Sequence, residues 1–128
     1  MRILSGRFDI VLTMNDLIDK AESLGCKVVL TYDKRICFTA NKIIYIPPLA
    51  DLDTMYALAH EMGHLLDYLD GTLDYDSWKI NKQYRINAEM KAWINAFALL
   101  KEVDAPFENW EKHIQGKLFT YFEYEEVS

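Results

Sequence analysis

The segment from residue 53 to residue 69 has an apolar residue at every third or fourth position, and this period restricts the fold more than any other feature. Such a period places the apolar side chains on one face of an α-helix. Asp53 is a typical N-cap and Gly71 follows the last apolar position, so we predict a helix from about residue 53 to Leu69. The predicted apolar stripe comprises Met55, Leu58, Ala59, Met62, Leu65, Leu66 and Leu69.

The far side of this helix carries the sequence His60-Glu61-Met62-Gly63-His64. His60 and His64 lie one turn apart, so both imidazoles can approach a single cation. Two such imidazoles, a third ligand and one open position are typical of catalytic zinc sites. Glu61 projects about 100° away from His60, where its carboxylate can act as a general base on water at the metal. Gly63 permits close backbone approach between the two ligands. The motif therefore predicts one Zn²⁺ ion.

A third ligand is predicted on another helix, from about residue 83 to residue 103, which ends before Pro106. Glu89 lies at the edge of the apolar stripe of this helix, where a buried carboxylate requires a charged partner. If the helix runs back antiparallel to the first one, Glu89 comes opposite His60 and His64. The stripe predicted to be buried comprises Ile86, Met90, Trp93, Ile94, Phe97 and Leu100.

Two other carboxylates compete with Glu89 for the role of third ligand. Asp70 completes a spacing close to that of metzincins, but Asp67 stands where their pattern requires the glycine of a turn. Asp74 ends the segment 71–74, which weakly resembles the aspzincin signature but follows His64 too closely. Glu89 is favoured over both.

The remaining segments predict an α+β fold. A capping box at Thr13–Asp16 and a stop at Gly25 indicate a first helix from about 14 to 24. Three β-rich stretches at 27–32, 36–39 and 43–46 are joined by short turns, which favours an antiparallel meander. The prediction is a small three-stranded antiparallel sheet packed on the motif helix and the second ligand-bearing helix. Residues 70–82 show no helical period, and a short helix is expected near 107–115, before an acidic tail.

Length and charge narrow the class of protein further. The chain has 128 residues, 51% of them hydrophobic and 27% charged, which fits one globular domain spanning residues 1–128. The net charge is −6 and Lys and Arg form no cluster, which argues against direct binding of nucleic acid. No segment has the ~20 apolar residues of a membrane span or the apolar region of a signal peptide. We therefore expect a cytoplasmic protein in which Cys26 and Cys37 stay reduced.

The motif and its surroundings resemble the ImmA/IrrE family of metallopeptidases. The similarity includes the segment Ala59–Leu66, the preceding strand 43–46, and the order of elements over about residues 13 to 103. The second helix adds to it, although Asn95 stands where that family usually has Phe, and Lys101-Glu102 replace its usual Met-Pro. The positions that match the second motif of the family are Glu89, Ala92, Ala96, Leu99 and Leu100.

This resemblance implies a minimal zincin-like fold and a zinc site completed by Glu89. It also implies narrow-specificity cleavage of an intracellular regulatory protein, such as a helix-turn-helix repressor of a phage or mobile element. The alternative function is a metal-stabilised, non-catalytic binding protein that acts as an antirepressor or toxin–antitoxin partner. The oligomeric state stays open.

A peptidase also needs a group that stabilises the oxyanion of the transition state. The candidates in this sequence are Tyr75, Tyr84, Arg85 and His113.

Overall fold

A computed structural model describes the backbone of residues 6–127 and the side chains of residues 9–121. These residues form an α+β structure, as predicted. Helix α2 contacts α1, α4 and two of the three strands, so it connects the helical and sheet layers. In chain order the elements are α1 (Gly6–Ser23), β1 (Lys27–Leu30), β2 (Cys37–Thr39), β3 (Ile43–Ile46), α2 (Leu52–Leu69), α3 (Tyr75–Ile80), α4 (Lys82–Glu102) and α5 (Trp110–Val127).

Helix α1 begins at Gly6, well before the predicted start near residue 14. The predicted capping box is wrong because Thr13 lies inside the helix, where its Oγ1 donates a hydrogen bond of 2.9 Å to the carbonyl of Asp9. A helix interior accommodates a hydroxyl that bonds to the carbonyl four residues earlier. Gly25 follows the helix with a φ of 84°, a conformation that favours glycine and ends the helix where predicted.

The sheet is mixed, so the prediction of an antiparallel meander is wrong. Strand β3 lies in the centre, parallel to β1 and antiparallel to β2. Its Ile44 and Ile46 are fully buried, whereas each outer strand is less buried, so the most apolar strand takes the central position. The connection from β1 to β3 runs through residues 31–42 and includes β2. A dozen residues suffice for a parallel crossover, and the short turns indicated only the β2–β3 pairing correctly.

The N-cap of helix α2 lies two residues before the predicted one. Its N-cap is Asp51 rather than Asp53, and Asp51 Oδ1 accepts a hydrogen bond of 2.8 Å from the amide of Thr54. The helix ends at Leu69, as predicted, and Gly71 follows with a φ of 76°. Most of the predicted apolar stripe is fully buried, but Leu69 is 44% exposed at the end of the helix.

The segment after α2 contains more helix than the sequence indicated. Asp74 caps the short helix α3, which lies within the stretch predicted to lack helical structure. Asn81 caps α4, whose bounds agree with the prediction to within one residue. The short helix predicted near 107–115 is instead the longer α5, and the acidic tail forms part of it. No helix in the described part of the chain combines the length and apolar character needed to cross a lipid bilayer.

The buried face of helix α4 shares only Trp93 and Leu100 with the predicted stripe. Met90, Ile94 and Phe97 are 43%, 70% and 42% exposed, so much of the predicted stripe faces outward. Small residues in the buried face let the two helices approach closely, and this packing outweighs the burial of the larger side chains. The buried residues of α4 are Ala92, Trp93, Ala96, Leu99 and Leu100.

Candidate metal centre

Three side chains from α2 and α4 converge on one point. His60 Nε2 lies 3.0 Å from Glu89 Oε1, and His64 Nε2 lies 2.6 Å from the same oxygen. Both histidines are buried, and Glu89 is mostly buried. Within the described residues, His60, His64 and Glu89 form a group whose ligand atoms all lie within 4.8 Å of one another. This group could hold a metal ion, and it contains the three residues predicted from the sequence.

Close contact between two helices brings Glu89 to the histidines. A Cβ atom added at Gly63 would lie 2.2 Å from the carbonyl oxygen of Ala92, so only glycine fits at this crossing. The glycine thus permits the approach of α4 to α2, rather than an approach of the two histidines to each other. Asn95 fixes the contact, because its Nδ2 donates to Gly63 O at 3.1 Å and to Asp67 Oδ1 at 2.9 Å. The second bond satisfies the buried carboxylate of Asp67.

Glu61 contacts the other nitrogen of His60. Its Oε2 lies 3.1 Å from His60 Nδ1, and both side chains border the same cleft. An Nδ1–H group that donates to this carboxylate leaves the lone pair of Nε2 directed at the metal site. His60 Nε2 is buried and makes no hydrogen bond with any described residue, because its contact with Glu89 falls outside hydrogen-bond geometry. The orphaned nitrogen is therefore available as a ligand.

The electrostatics of the group favour a charged pair when no metal is bound. Burial lowers the pKa of His60, but the contacts with Glu61 and Glu89 outweigh burial and raise it to about 9. Burial also opposes the charge on Glu89, yet the contacts with His60 and His64 lower its pKa to about 2. A proton on His60 thus occupies the space in which a cation would bind.

Aromatic rings enclose the two imidazoles. Trp93 stacks on His60 with ring centroids 4.2 Å apart and planes inclined by 15°. Trp78 meets His64 edge to face at 5.7 Å. These contacts restrict rotation of both imidazoles and keep water from their sides, so the ligand atoms face the cleft in a fixed arrangement.

The three potential ligands His60, His64 and Glu89, called the metal group below, lie in a cleft of about 630 Å³. Strand β2 and α3 form one wall, which includes Cys37, Phe38 and Tyr75, and α5 contributes another wall. A cleft of this size accommodates a ligand with many more atoms than a metal ion and its waters. The residues of α5 that border it are Lys117, Thr120 and Tyr121.

Of the four predicted oxyanion-stabilising residues, only Tyr75 borders the cleft. Tyr84 donates to Thr72 O at 2.9 Å and accepts from the amide of Asp74 at 2.6 Å, so it holds the loop between α2 and α3. Arg85 donates to the carbonyls of Trp78 and Lys79 at the end of α3.

His113 also has a different position from the predicted one. It packs behind Trp93, and its Nδ1 lies 3.0 Å from Asp53 Oδ1. The indole of Trp93 thus contacts both His113 and His60.

The two competing carboxylates do not join the metal group. Asp70 is the exposed C-cap of α2, and Asp74 is the N-cap of α3, where it accepts a hydrogen bond from the amide of Asp76. Helix α2 continues through Asp67, as expected from the absence of glycine there, and this directs Asp70 away from His64.

The sequence did not indicate that Tyr121 borders the site or that Trp93 covers one of the potential ligands. Trp93 belonged to a predicted apolar stripe, and a tryptophan in such a stripe gives no sign that it stacks on a ligand. Tyr121 lies beyond the predicted end of the last helix, so no local pattern placed it near the motif. Its position becomes apparent only when α5 packs on α4.

Comparisons of the chain with family models, with curated proteins and with solved structures gave no match. The resemblance to ImmA/IrrE metallopeptidases therefore stays a prediction from the motifs.

Proposed function

We propose that this protein is a zinc-dependent endopeptidase. The proposal depends above all on one observation: two imidazole nitrogens and one carboxylate oxygen converge at a cleft that a further carboxylate, that of Glu61, also borders. This combination matches the needs of metal-assisted hydrolysis, which requires a metal site, a base for water and room for a substrate.

The donor set fits zinc. Two imidazoles and one carboxylate are a set of ligands that catalytic zinc sites use, with a fourth position open. On a tetrahedral ion with bonds of ~2.0–2.1 Å, neighbouring ligand atoms lie roughly 3.3 Å apart. The contacts of 2.6 and 3.0 Å with Glu89 are shorter, so these two pairs of atoms need to separate by roughly 0.7 and 0.3 Å to reach that spacing.

In this proposal the carboxylate of Glu61 has two roles. It fixes the tautomer of His60 through Nδ1, and it accepts a proton from the attacking water through its carboxylate. When bound, zinc supplies a Lewis acid that polarises the scissile carbonyl and lowers the pKa of water. Trp93 and Trp78 keep bulk water from the sides of the imidazoles, which strengthens the electrostatic interactions inside the cleft.

The shape of the cleft supports an extended polypeptide as the substrate. In the sheet formed by the described residues, β2 is an edge strand that borders the cleft, so the backbone groups on its outer side can pair with a peptide segment. Because the walls contain several bulky rings, we expect narrow specificity. The choice of an intracellular helix-turn-helix repressor as substrate depends on the family resemblance alone.

The experiment compares Glu61→Gln with the wild type in zinc content and in cleavage of a randomised peptide library. We expect the variant to bind one zinc ion per chain and to lose at least 10²-fold in kcat, since general bases contribute roughly 10²–10⁴-fold. His60→Ala should lose both zinc and cleavage. Cleavage at the wild-type rate by zinc-loaded Glu61→Gln would reject the assignment of Glu61 as the base.

A second candidate function is a metal-stabilised binding protein without catalysis. The contact of Glu61 with His60 Nδ1 favours it, because a carboxylate in that position also occurs as a purely orienting partner of a metal ligand. In that case the wild type binds zinc and cleaves no peptide of the library. Glu61→Gln would then change only the zinc affinity.

A further inference from the structure

The wall of the cleft formed by α5 contains a tyrosine that no step described so far uses. Tyr121 borders the same cleft as His60, Glu61, His64 and Glu89. Its side chain is half-buried and packs against the core, so its position is fixed by the fold. The ring of Tyr121 thus lies on a different wall of the cleft from the ring of Tyr75. Tyr75 belongs to α3 and packs beside Tyr68.

The phenol oxygen of Tyr121 is held by the ring that covers a metal ligand. Trp93 Nε1 donates a hydrogen bond of 3.3 Å to this oxygen, and the same indole stacks on His60. The bond occupies one lone pair of the oxygen and leaves the phenolic hydrogen to donate elsewhere. Among the described residues this hydrogen has no hydrogen-bond acceptor. A hydrogen-bond donor that is held in place beside a metal site, and that has no acceptor yet, can stabilise a negative charge that develops there during the reaction.

We propose that Tyr121 is a catalytic residue that donates a hydrogen bond to the oxyanion formed at the scissile carbonyl, a role that rests on the proposed peptidase function. Burial, and the negative charges of Glu89 and Glu61, raise the pKa of Tyr121 above its ordinary value. The phenol therefore keeps its hydrogen at neutral pH.

The reaction balances with water as the only co-reactant. The oxygen of water forms a bond with the carbonyl carbon, while one proton of this water passes to Glu61. The π electron pair of the C=O bond moves to the carbonyl oxygen, which accepts the hydrogen bond from Tyr121. The C–N bond then breaks as the pair returns, the proton on Glu61 passes to the leaving amine, and Tyr121 ends with its hydrogen in place.

Tyr75 is the natural comparison because it is the other tyrosine of the cleft in the described part of the chain. Burial raises its pKa to about 12, so it too is protonated, but no described residue forms a hydrogen bond that orients its oxygen. A phenol that rotates freely loses entropy when it donates, whereas Tyr121 is already oriented by Trp93. The structure thus distinguishes the roles of two tyrosines that the amino-acid composition alone cannot distinguish.

The experiment uses Tyr121→Phe, which keeps the ring and removes only the hydroxyl, beside Tyr75→Phe. We expect zinc content to stay at one ion per chain and kcat on a peptide selected from the randomised library to fall roughly 10²–10³-fold, with little change in KM. Tyr75→Phe should lose less than tenfold. Equal rates for Tyr121→Phe and the wild type, or a larger loss in Tyr75→Phe, would overturn the assignment while leaving the peptidase function intact.

A binding measurement separates the hydroxyl from general damage to the site. A phosphinic peptide carries a tetrahedral oxyanion, whereas the matching thiol peptide binds zinc without one. By calorimetry, Tyr121→Phe should weaken binding of the phosphinic peptide roughly 10- to 100-fold and leave the thiol peptide unchanged. Equal weakening of both would overturn the proposal. A wild type that binds zinc but neither peptide, and cleaves nothing, would refute the peptidase function and this role together.

Discussion

His60 shows how one residue can be prepared for a cation by its neighbours. Glu61 binds its Nδ1, Trp93 covers its ring, and Glu89 lies 3.0 Å from its Nε2. The two carboxylates place negative charge on both sides of a buried imidazole, which favours a positive charge at that point. In the metal-free protein a proton supplies this charge, and zinc must replace it.

The first prediction concerns the pH dependence of zinc binding. Because the pKa of His60 is raised to about 9, the metal-free site is protonated below that pH, and zinc must displace a proton. The apparent zinc affinity should therefore rise about tenfold per pH unit from pH 6.5 towards 9 and then level off. Titration against a chelator of known pH dependence at three pH values would check the slope.

Glu61→Gln is the matched control for this slope. It removes a negative charge beside His60, so the pKa of His60 should fall and the plateau should begin at a lower pH. A wild-type affinity that does not vary between pH 6.5 and 8.5 would contradict the description of the site.

At the scale of elements, the crossing of α2 and α4 determines whether the site exists. Gly63 lies where the backbones touch, one residue before His64, and Asn95 bonds across the same crossing. Glu89 reaches the histidines only because the two helices approach this closely. The small residues of α4 thus support the metal site because they allow the two backbones to lie close together, and not because they contact a ligand.

The second prediction concerns Gly63→Ala. The added Cβ would lie 2.2 Å from Ala92 O, so the helices must separate. Although alanine favours helix by up to ~1 kcal/mol, overpacking costs typically ~1–3 kcal/mol or more, so we expect a net loss of stability and weaker zinc binding. The measurements are urea denaturation and zinc titration.

Gly116→Ala in α5 is the matched control. A Cβ at Gly116 meets no atom of the described residues within 4 Å, so this change should stabilise the protein by up to ~1 kcal/mol without altering zinc affinity. If both variants behave alike, the close approach at Gly63 is not what holds the helices in position.

Much of the local structure could be predicted from the sequence, because its causes are local. The period of α2, the stop at Gly25 and the histidines one turn apart all depend on neighbours within a few residues. The pairing of β1 with β3 and the outward turn of Ile94 depend on contacts between distant segments. No local pattern contains that information, which explains why both predictions were wrong.

At the scale of the whole molecule, the cleft is assembled from segments that lie far apart in the sequence, between Arg35 and Tyr121. Strand β2 and α3 supply one wall, α5 supplies another, and α2 with α4 supplies the metal group. Glu89 was predictable because only residues 70–81, which include α3, separate α2 from α4. Tyr121 was not, because its place depends on how α5 returns over α4. The metal group thus depends on segments that are close in the sequence, whereas the cleft depends on the tertiary packing of distant segments.

The central claim is that His60, His64 and Glu89 bind one zinc ion together. The most direct measurement is a crystal structure of the zinc-loaded protein with anomalous data collected on both sides of the zinc absorption edge. We predict a single anomalous peak at ~2.0–2.2 Å from His60 Nε2, His64 Nε2 and a Glu89 oxygen. A zinc-saturated crystal without a peak at these three side chains would contradict the account.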